Sequence, residues 1–337
     1  MHKDYITQQI KMLHISLLLP ENVNVAGFDN PRQGLLETNS YLEAQGKNKA
    51  FVIEIVGVND FVEIANGNFS IKTDKKITEI ERTDIIIIPP IQGDIEDAIK
   101  ANAPLYPWII NQYRKGAQVV SLCLGAFLLA QTGLLNGKQC VTHWKAYNSF
   151  QQLYPKVKLV SEKIITDEDG IYTGGGAFSS ANLMLYLIEK LVSRDVAIYC
   201  SKVFQIDVNR VSQSPFIIFN KQKEHGDSSI LKVQQFIETN FTKSIHINQL
   251  CDVVSMGRRT FERRFKAATS NTPIEYIQRI RIEAAKKELE NGLKTVNEIM
   301  YEVGYNDKTA FRDVFRKFSG VTPLDYRRKF VQSQSSS

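Results

Sequence analysis

Cys123 stands in the run "AQVVSLCLGAFLLAQTGLL" (117–135), where an apolar strand-like stretch meets a helix-like one. A nucleophile displayed on a sharp strand-to-helix turn is a recurring catalytic device. A thiol at this junction is therefore open to three readings: a nucleophile, a sensor, or packing. The thiolate is the reactive species, and it forms near neutral pH only beside a firmly placed base or positive charge. His143, in "THW", is a histidine near the cysteine in sequence, but Trp144 beside it supplies apolar bulk that suits a pocket or core imidazole. The other cysteines, Cys140, Cys200 and Cys251, are too scattered for a zinc site or a disulfide framework. "TGGGAFSS" (173–180) lacks the spacing of a P-loop or a dinucleotide fingerprint, so its glycines fit close backbone packing against the elbow. No metal and no cofactor is expected.

A second set of chemistry-bearing residues lies far downstream. If Phe261 and Phe265 point inward, helical periodicity turns Arg258, Arg259, Glu262, Arg263 and Lys266 outward. The same argument from Phe311 and Phe315 exposes Lys308, Thr309, Arg312, Asp313 and Arg316. Arginine can read guanine bidentately and a carboxylate can accept from cytosine, while other cations on such a face hold phosphates. One isolated basic helix is more simply a solvated face. This one is duplicated: a shift of 50 positions superimposes Val253 on Val303, Phe261 on Phe311, Phe265 on Phe315, Thr272-Pro273 on Thr322-Pro323, and Tyr276 on Tyr326. Charge follows the repeat, because residues 228–337 hold 19 Lys+Arg against 12 Asp+Glu although the whole chain is only +6. The basic half is the one to test for nucleic acid.

The elements that would position these residues differ between the two halves. A chain of 337 residues suits two domains, and its 43% hydrophobic and 23% charged residues are those of an ordinary globular protein. In the first half "HISLLLP", "KAFVIEIVGV", "DIIIIPP", "AQVVSLC" and "GIYTGG" read as strands, several apolar enough to be covered on both faces. Between them "EDAIKANAPLYPWIINQYRKG", "GAFLLAQTGLL" and "SSANLMLYLIEKLVSR" read as helices, which implies a largely parallel α/β sandwich with Cys123 at a carboxyl edge where ligands sit. The opening apolar run, His14–Pro20, fits a buried strand rather than a signal peptide or a membrane helix, and a reducing cytosol is the expected compartment.

From Ile230 onward the spacing is helical, about seven short helices. Each repeat reads as helix, turn, helix: Asn248–Val254 then Arg258–Thr269, and Val296–Val303 then Lys308–Phe318. Thr-Pro supplies a cap and a first-turn proline, Thr295 with Glu298 a capping box, and Asp307 the next cap. The helix between the repeats would act as a spacer that sets the two reading helices about one turn of duplex apart. The expected division is 1–206, a linker over 207–227, 228–330, and a disordered tail over 331–337.

"MGRRTFERRFKAATSNTPIEYIQRIRIEAAKKEL" and "VNEIMYEVGYNDKTAFRDVFRKFSGVTPLDYRR" closely resemble the AraC/XylS DNA-binding domain over Ser228–Phe330. The resemblance implies base reading by Arg259, Glu262 and Arg263 in the first unit and by Lys308, Thr309 and Arg312 in the second. Arg258 and Arg316 complete the candidate DNA-binding set. Asn271 stands where glycine is common, in a position that asparagine tolerates if left-handed. Gly257 stands where a serine cap is common, so a slightly frayed first reading helix is expected. "GAQVVSLCLGAFLLAQTGLLNGKQCVTHW" carries a resemblance of Leu13–Lys202 to the PfpI group of the class I glutamine amidotransferase-like, flavodoxin-like fold. In enzymes of that fold an elbow cysteine works with a histidine and an acid. The best match to the acid is Asn24, with Asp29 nearby.

The two domains in this order resemble the GlxA subgroup of AraC-type regulators. They imply an α/β sandwich followed by an all-α double helix-turn-helix domain. The expected function is a transcription regulator that binds double-stranded DNA, senses an unknown small-molecule effector at Asn24, Cys123 and His143, and dimerises through its first half, with RNA polymerase as a further candidate partner and no membrane. The alternatives are a PfpI-class amidase or deglycase using Cys123 and tethered to DNA, and a regulator whose first domain is only a dimerisation platform.

Overall fold

The computed structural model describes residues 12–64, 67–176, 180–207, 212–219 and 221–331, so the tail beyond Val331 lies outside the described residues. The chain divides between Gln213 and Ser214, inside the stretch read as a linker.

The first unit carries strands β1 (Leu13–Leu18), β2 (Phe51–Gly57), β3 (Phe61–Ile64), β4 (Phe69–Lys72), β5 (Lys75–Lys76), β6 (Ile85–Ile88), β7 (Gln118–Leu122), β8 (Gln139–Cys140), β9 (Lys158–Leu159), β10 (Ile165–Glu168) and β11 (Ile171–Gly174). Among the described residues seven of them form one sheet in the order β10-β11-β7-β6-β1-β2-β5, parallel apart from the antiparallel β10–β11 edge. The four isoleucines of β6 explain its central place. Ile85 and Ile87 belong to one core and Ile86 and Ile88 to the other, so both faces of the strand are covered. Helices α1 (Val25–Ala44), α6 (Ser180–Leu191) and α7 (Arg194–Val203) close the first face. Helices α2 (Ile95–Ala101), α3 (Leu105–Arg114), α4 (Gly125–Gln131) and α5 (Tyr147–Leu153) close the second.

The structure adds strands and helices that the sequence reading did not give, among them β3, β4, β8, β9, β10, α5 and α7, and two departures bear on the helices around the sheet. The 20-residue α1 was not anticipated, because its buried stripe is Gly27, Phe28, Pro31, Gly34, Leu35, Thr38, Asn39 and Leu42. That spacing is helical, but half the stripe is not apolar. Asn39 is tolerated there since its amide donates to the Phe51 carbonyl (2.8 Å) and accepts from Ala50 and Phe51 N–H (3.0 and 3.1 Å). The stretch read as a single helix over 96–116 is two, α2 and α3, interrupted before Pro104, which has no N–H to continue the ladder.

The second unit holds α8 (Ser228–Asn240), α9 (Ile247–Val253), α10 (Arg258–Thr269), α11 (Pro273–Asn291), α12 (Val296–Glu302), α13 (Lys308–Ser319) and α14 (Pro323–Phe330). It has two separate cores. Phe261, Phe265, Tyr276, Ile277 and Ile280 fill the first, and Ile282, Ala285, Leu289, Phe311, Phe315 and Tyr326 the second. Helix α11 contributes to both, its first half to one and its second half to the other.

The repeat needs one correction. Helices α10 and α13 match at the expected shift of 50, but α9 and α12 match at 49, with Ile247 on Val296 and buried Leu250 on Ile299. Val253, 37% exposed, therefore does not correspond to Val303, which is 3% exposed. The cause is the turn, which has one more residue in the second copy (303–307) than in the first (254–257).

The left-handed residue that ends α10 is Ser270 (φ +56), matching Gly320 (φ +74), and not Asn271. Asn271 is instead buried, its amide held by the Thr269 carbonyl.

Candidate functional site

The first candidate surface is built by the faces of α10 and α13. Phe261, Phe265, Phe311 and Phe315 are fully buried, so the residues between them point away from the cores. Arg258, Arg259 and Arg263 are exposed, and so are Lys308, Thr309, Arg312 and Arg316. Glu262 is half-buried and accepts from Arg258 Nε at 3.0 Å, a single-turn pair that presents the two as one unit. Gly257 caps α10 with backbone alone, and the helix begins at Arg258. Asp307 caps α13 by accepting from Ala310 N–H (2.6 Å), and Thr295 with Glu298 forms the reciprocal box that starts α12.

Arg264 is set apart from this face. It grips both oxygens of Asp227 (3.0 and 2.8 Å), the cap of α8, and so ties α8 to α10 instead of facing outward. The paired arginine holds the Asp227 carboxyl below its ordinary range.

Sequence reasoning did not single out Arg327, a half-buried cation beside two residues of this surface. Lys308 and Arg312 line a cavity of about 480 Å³ together with Arg327, Thr295, Thr322 and Leu324. The signal was available in the repeat: Arg327 occupies the position of Ile277, which is buried in the first copy. In this copy the arginine donates to the Lys294 carbonyl, just before α12.

The second candidate site is the elbow after β7. Cys123 has φ +53, the left-handed backbone a sharp strand-to-helix turn requires. Its N–H donates to the Gly174 carbonyl (2.8 Å), and its own carbonyl accepts from the Thr142 hydroxyl (2.8 Å). Gly125 permits α4 to close on the sheet, since a Cβ there would fall 2.6 Å from the Pro89 carbonyl. Asn24 is drawn to the same edge, its N–H on the Pro90 carbonyl (2.8 Å). In the 173–180 motif the Gly174 carbonyl takes the elbow N–H, but the close neighbours of the glycines are side chains outside the elbow: a Cβ on Gly174 would lie 3.0 Å from Leu183 Cδ2 and one on Gly175 2.9 Å from Gln213 Oε1. The rest of that motif, 177–179, lies outside the described residues.

The chemistry of the elbow is that of a buried thiol. Cys123 is 4% exposed, and burial pushes its pKa up to about 11, offset in part by the Leu124 N–H. Burial, with a smaller effect from the Lys145 charge, lowers the pKa of His143. The imidazole Nδ1 accepts from Lys145 N–H (3.2 Å), so the neutral ring carries its proton on Nε2. The Asn24 side chain accepts from Gly27 N–H (3.0 Å) and donates to Gln92 (3.2 Å), while Asp29 pairs with Arg32 (3.2 Å). Among the described residues the hydrogen bonds of His143, Asn24 and Asp29 go to partners other than Cys123 Sγ. The sheet gathers the elbow and Asn24 at one edge.

Comparison with known proteins agrees with both halves. A DJ-1/PfpI family model matches residues 35–190, and a helix-turn-helix domain model matches residues 250–329. The HTH-type transcriptional regulator GbdR of Pseudomonas aeruginosa is 25% identical over 224 residues, 64% of this chain and 59% of that protein. The chain thus matches less than two thirds of the length of that relative. The HTH-type transcriptional regulator GlxA of Rhizobium meliloti is 22% identical over 218 residues, 64% of this chain and 67% of the relative. The crystal structure of a putative transcriptional regulator protein from Vibrio parahaemolyticus shares the fold, with a TM-score of 0.51 and 24% identity over 57% of this chain and 99% of the other. The parallel sheet with its cysteine elbow and the doubled helix-turn-helix thus identify the chain as a DJ-1/PfpI-type domain joined to an AraC-type helix-turn-helix domain, in the GlxA-like order.

Proposed function

We propose that the chain is a ligand-responsive transcription regulator that binds double-stranded DNA through its second unit. The carrying observation is the duplicated face: α10 and α13 each bury two phenylalanines and turn a row of cations outward. In this reading Arg259, Glu262 and Arg263 meet base edges in one major-groove segment, and Lys308, Thr309 and Arg312 in the next. Arg258 and Arg316 at the margins hold phosphates. The names of GbdR and GlxA as transcriptional regulators support the reading.

The first unit is the sensor and the dimerisation module, and it is not catalytic. A thiol with a raised pKa, 4% exposed and, among the described residues, without a hydrogen bond to a base, supports pocket or packing duty for Cys123 over an amidase or deglycase nucleophile. The left-handed elbow is shared by enzymes of the fold and is not chemistry by itself. The protein acts in the cytoplasm, where its DNA lies, and among the described residues no helix is long and apolar enough to cross a membrane.

The test is binding of the full chain to duplexes selected from a random pool. A selected sequence should be bound at least about 10³-fold more tightly than a scrambled one at fixed salt, the lower end for specific regulators. Equal affinity for both would reject the reading. Sedimentation of the full chain at tens of micromolar, chosen to exceed common dimer affinities, should give a dimer, and a shift in unfolding temperature during a metabolite screen would identify the effector.

A further inference from the structure

Because the two helix-turn-helix heads have separate cores, the angle between them depends on what crosses from one to the other. Two arginines of α11 cross on opposite sides. The Arg279 guanidinium lies 5.4 Å from the ring centre of Phe219, which packs on the first core, and 4.5 Å from that of Phe318, which packs on the second. Among the described residues its buried Nε has no hydrogen-bond partner, and the guanidinium is flanked by these two aromatic rings.

Arg281, two residues on, points about 200° around the helix. Its Nε donates to the Phe241 carbonyl (2.7 Å) and its Nη2 to the Lys243 carbonyl (2.8 Å), closing the open end of α8 in the first head. The same guanidinium lies 5.2 Å from the ring centre of Tyr305, in the turn of the second head. Beside it Gly304, at φ +86, lets that turn approach so closely that a Cβ would fall 2.7 Å from the Thr242 carbonyl. The Lys317–Glu275 pair, at 3.8 Å and half-exposed, adds little to this.

We infer that Arg279 and Arg281 are positioning residues, a pair of staples that hold the two heads at one angle and thereby set the spacing between the two DNA segments the chain accepts. The spacing part rests on the DNA reading above, and the rigidity part does not. One inserted base pair rotates the second segment by about 35° and moves it by about 3.4 Å. Stapled heads cannot follow that displacement, whereas loosened heads can.

The experiment uses the full chain with Arg279→Met and Arg281→Met together, which keep apolar stems and remove the charges and donors. Spin labels are placed on Ala267→Cys and Asp313→Cys, both exposed, while the four native cysteines are buried and escape labelling. The distance distribution should be narrow with both arginines present and broad in the double variant at unchanged helix content. A narrow distribution in both, or a broad one in both, overturns the inference.

In the second arm a duplex selected from a random pool is compared with the same duplex carrying one base pair inserted between the two protected segments. The insertion should weaken the unsubstituted chain about 10-fold or more, in the range of a lost base contact, and the double variant by about 3-fold or less. Equal weakening overturns the staples. If the chain selects no duplex, the DNA reading fails while the distance arm still decides rigidity. Should the double variant lose helix content, Arg279→Lys and Arg281→Lys replace it, and each must broaden the distribution in part for the inference to stand.

Discussion

Alkylation of Cys123 in the native full chain should be slow, and its pH dependence should expose the buried thiol. With a pKa of about 11, the thiolate fraction at pH 7.5 is about 3 × 10⁻⁴, against about 0.03 for an unfolded thiol of pKa about 9. The reaction with iodoacetamide should therefore run about 100-fold slower than with the unfolded chain, before the protection given by 4% exposure. Mass spectrometry of the peptide holding Cys123, quenched at intervals between pH 7 and 10, gives the rate, and the urea-unfolded chain supplies the reference. The rate should climb about tenfold per pH unit without a plateau in that range. Cys140, pushed up to about 12 by its own burial, is an internal comparison and should be slower still. His143→Ala should leave the Cys123 profile unchanged, because among the described residues no hydrogen bond links the two. A plateau with a midpoint below about pH 8, lost in His143→Ala, would refute this reasoning and restore the nucleophile that an amidase or deglycase needs.

Arg259→Ala and Arg312→Ala should each weaken binding to a selected duplex by about 1–3 kcal/mol and to a scrambled one by less; equal losses would make them phosphate contacts. Arg264→Ala should instead lower the unfolding midpoint and leave the ratio of specific to scrambled binding unchanged, since its partner is Asp227. Gly304→Ala should cost more than the about 1–2 kcal/mol of a left-handed alanine, because its Cβ also meets the Thr242 carbonyl, whereas Gly226→Ala (φ +70, open space) should cost only the backbone share; equal urea midpoints would dismiss the close approach. Burial raises the folded pKa of Cys123 and Cys140 above the unfolded value of about 9. The unfolded chain then releases protons that the folded one keeps, so stability holds below pH 9 and falls toward pH 11, by up to about 1.4 kcal/mol per pH unit for each thiol. A urea midpoint that stays flat from pH 8 to 10 would contradict the burial.

Local pattern alone was enough wherever one element's own spacing determines its face. Phe261 with Phe265 and Phe311 with Phe315 sit one helical turn apart, and that spacing alone sends the intervening arginines outward. Thr272-Pro273 and Thr322-Pro323 start helices because a cap oxygen and a proline lacking N–H suit only that position. Ile85–Ile88 announced a strand covered on both faces because no polar residue in it demands water.

What remained hidden depends on segments distant in the chain. Helix α1 is disguised because Asn39 is satisfied by the backbone of Phe51, and its glycines accept close neighbours, such as Pro90 against Gly27. The fifth residue of the second turn is invisible to a sliding match, since it displaces only the short helix before it. Arg279 and Arg281 read as ordinary helix-surface charges until Phe219, Phe241, Tyr305 and Phe318 are brought around them. Cys123 is the clearest division: its place at the strand end is written in the chain, but its protonation is decided by the burial that the folded unit imposes, which removes the water a thiolate needs.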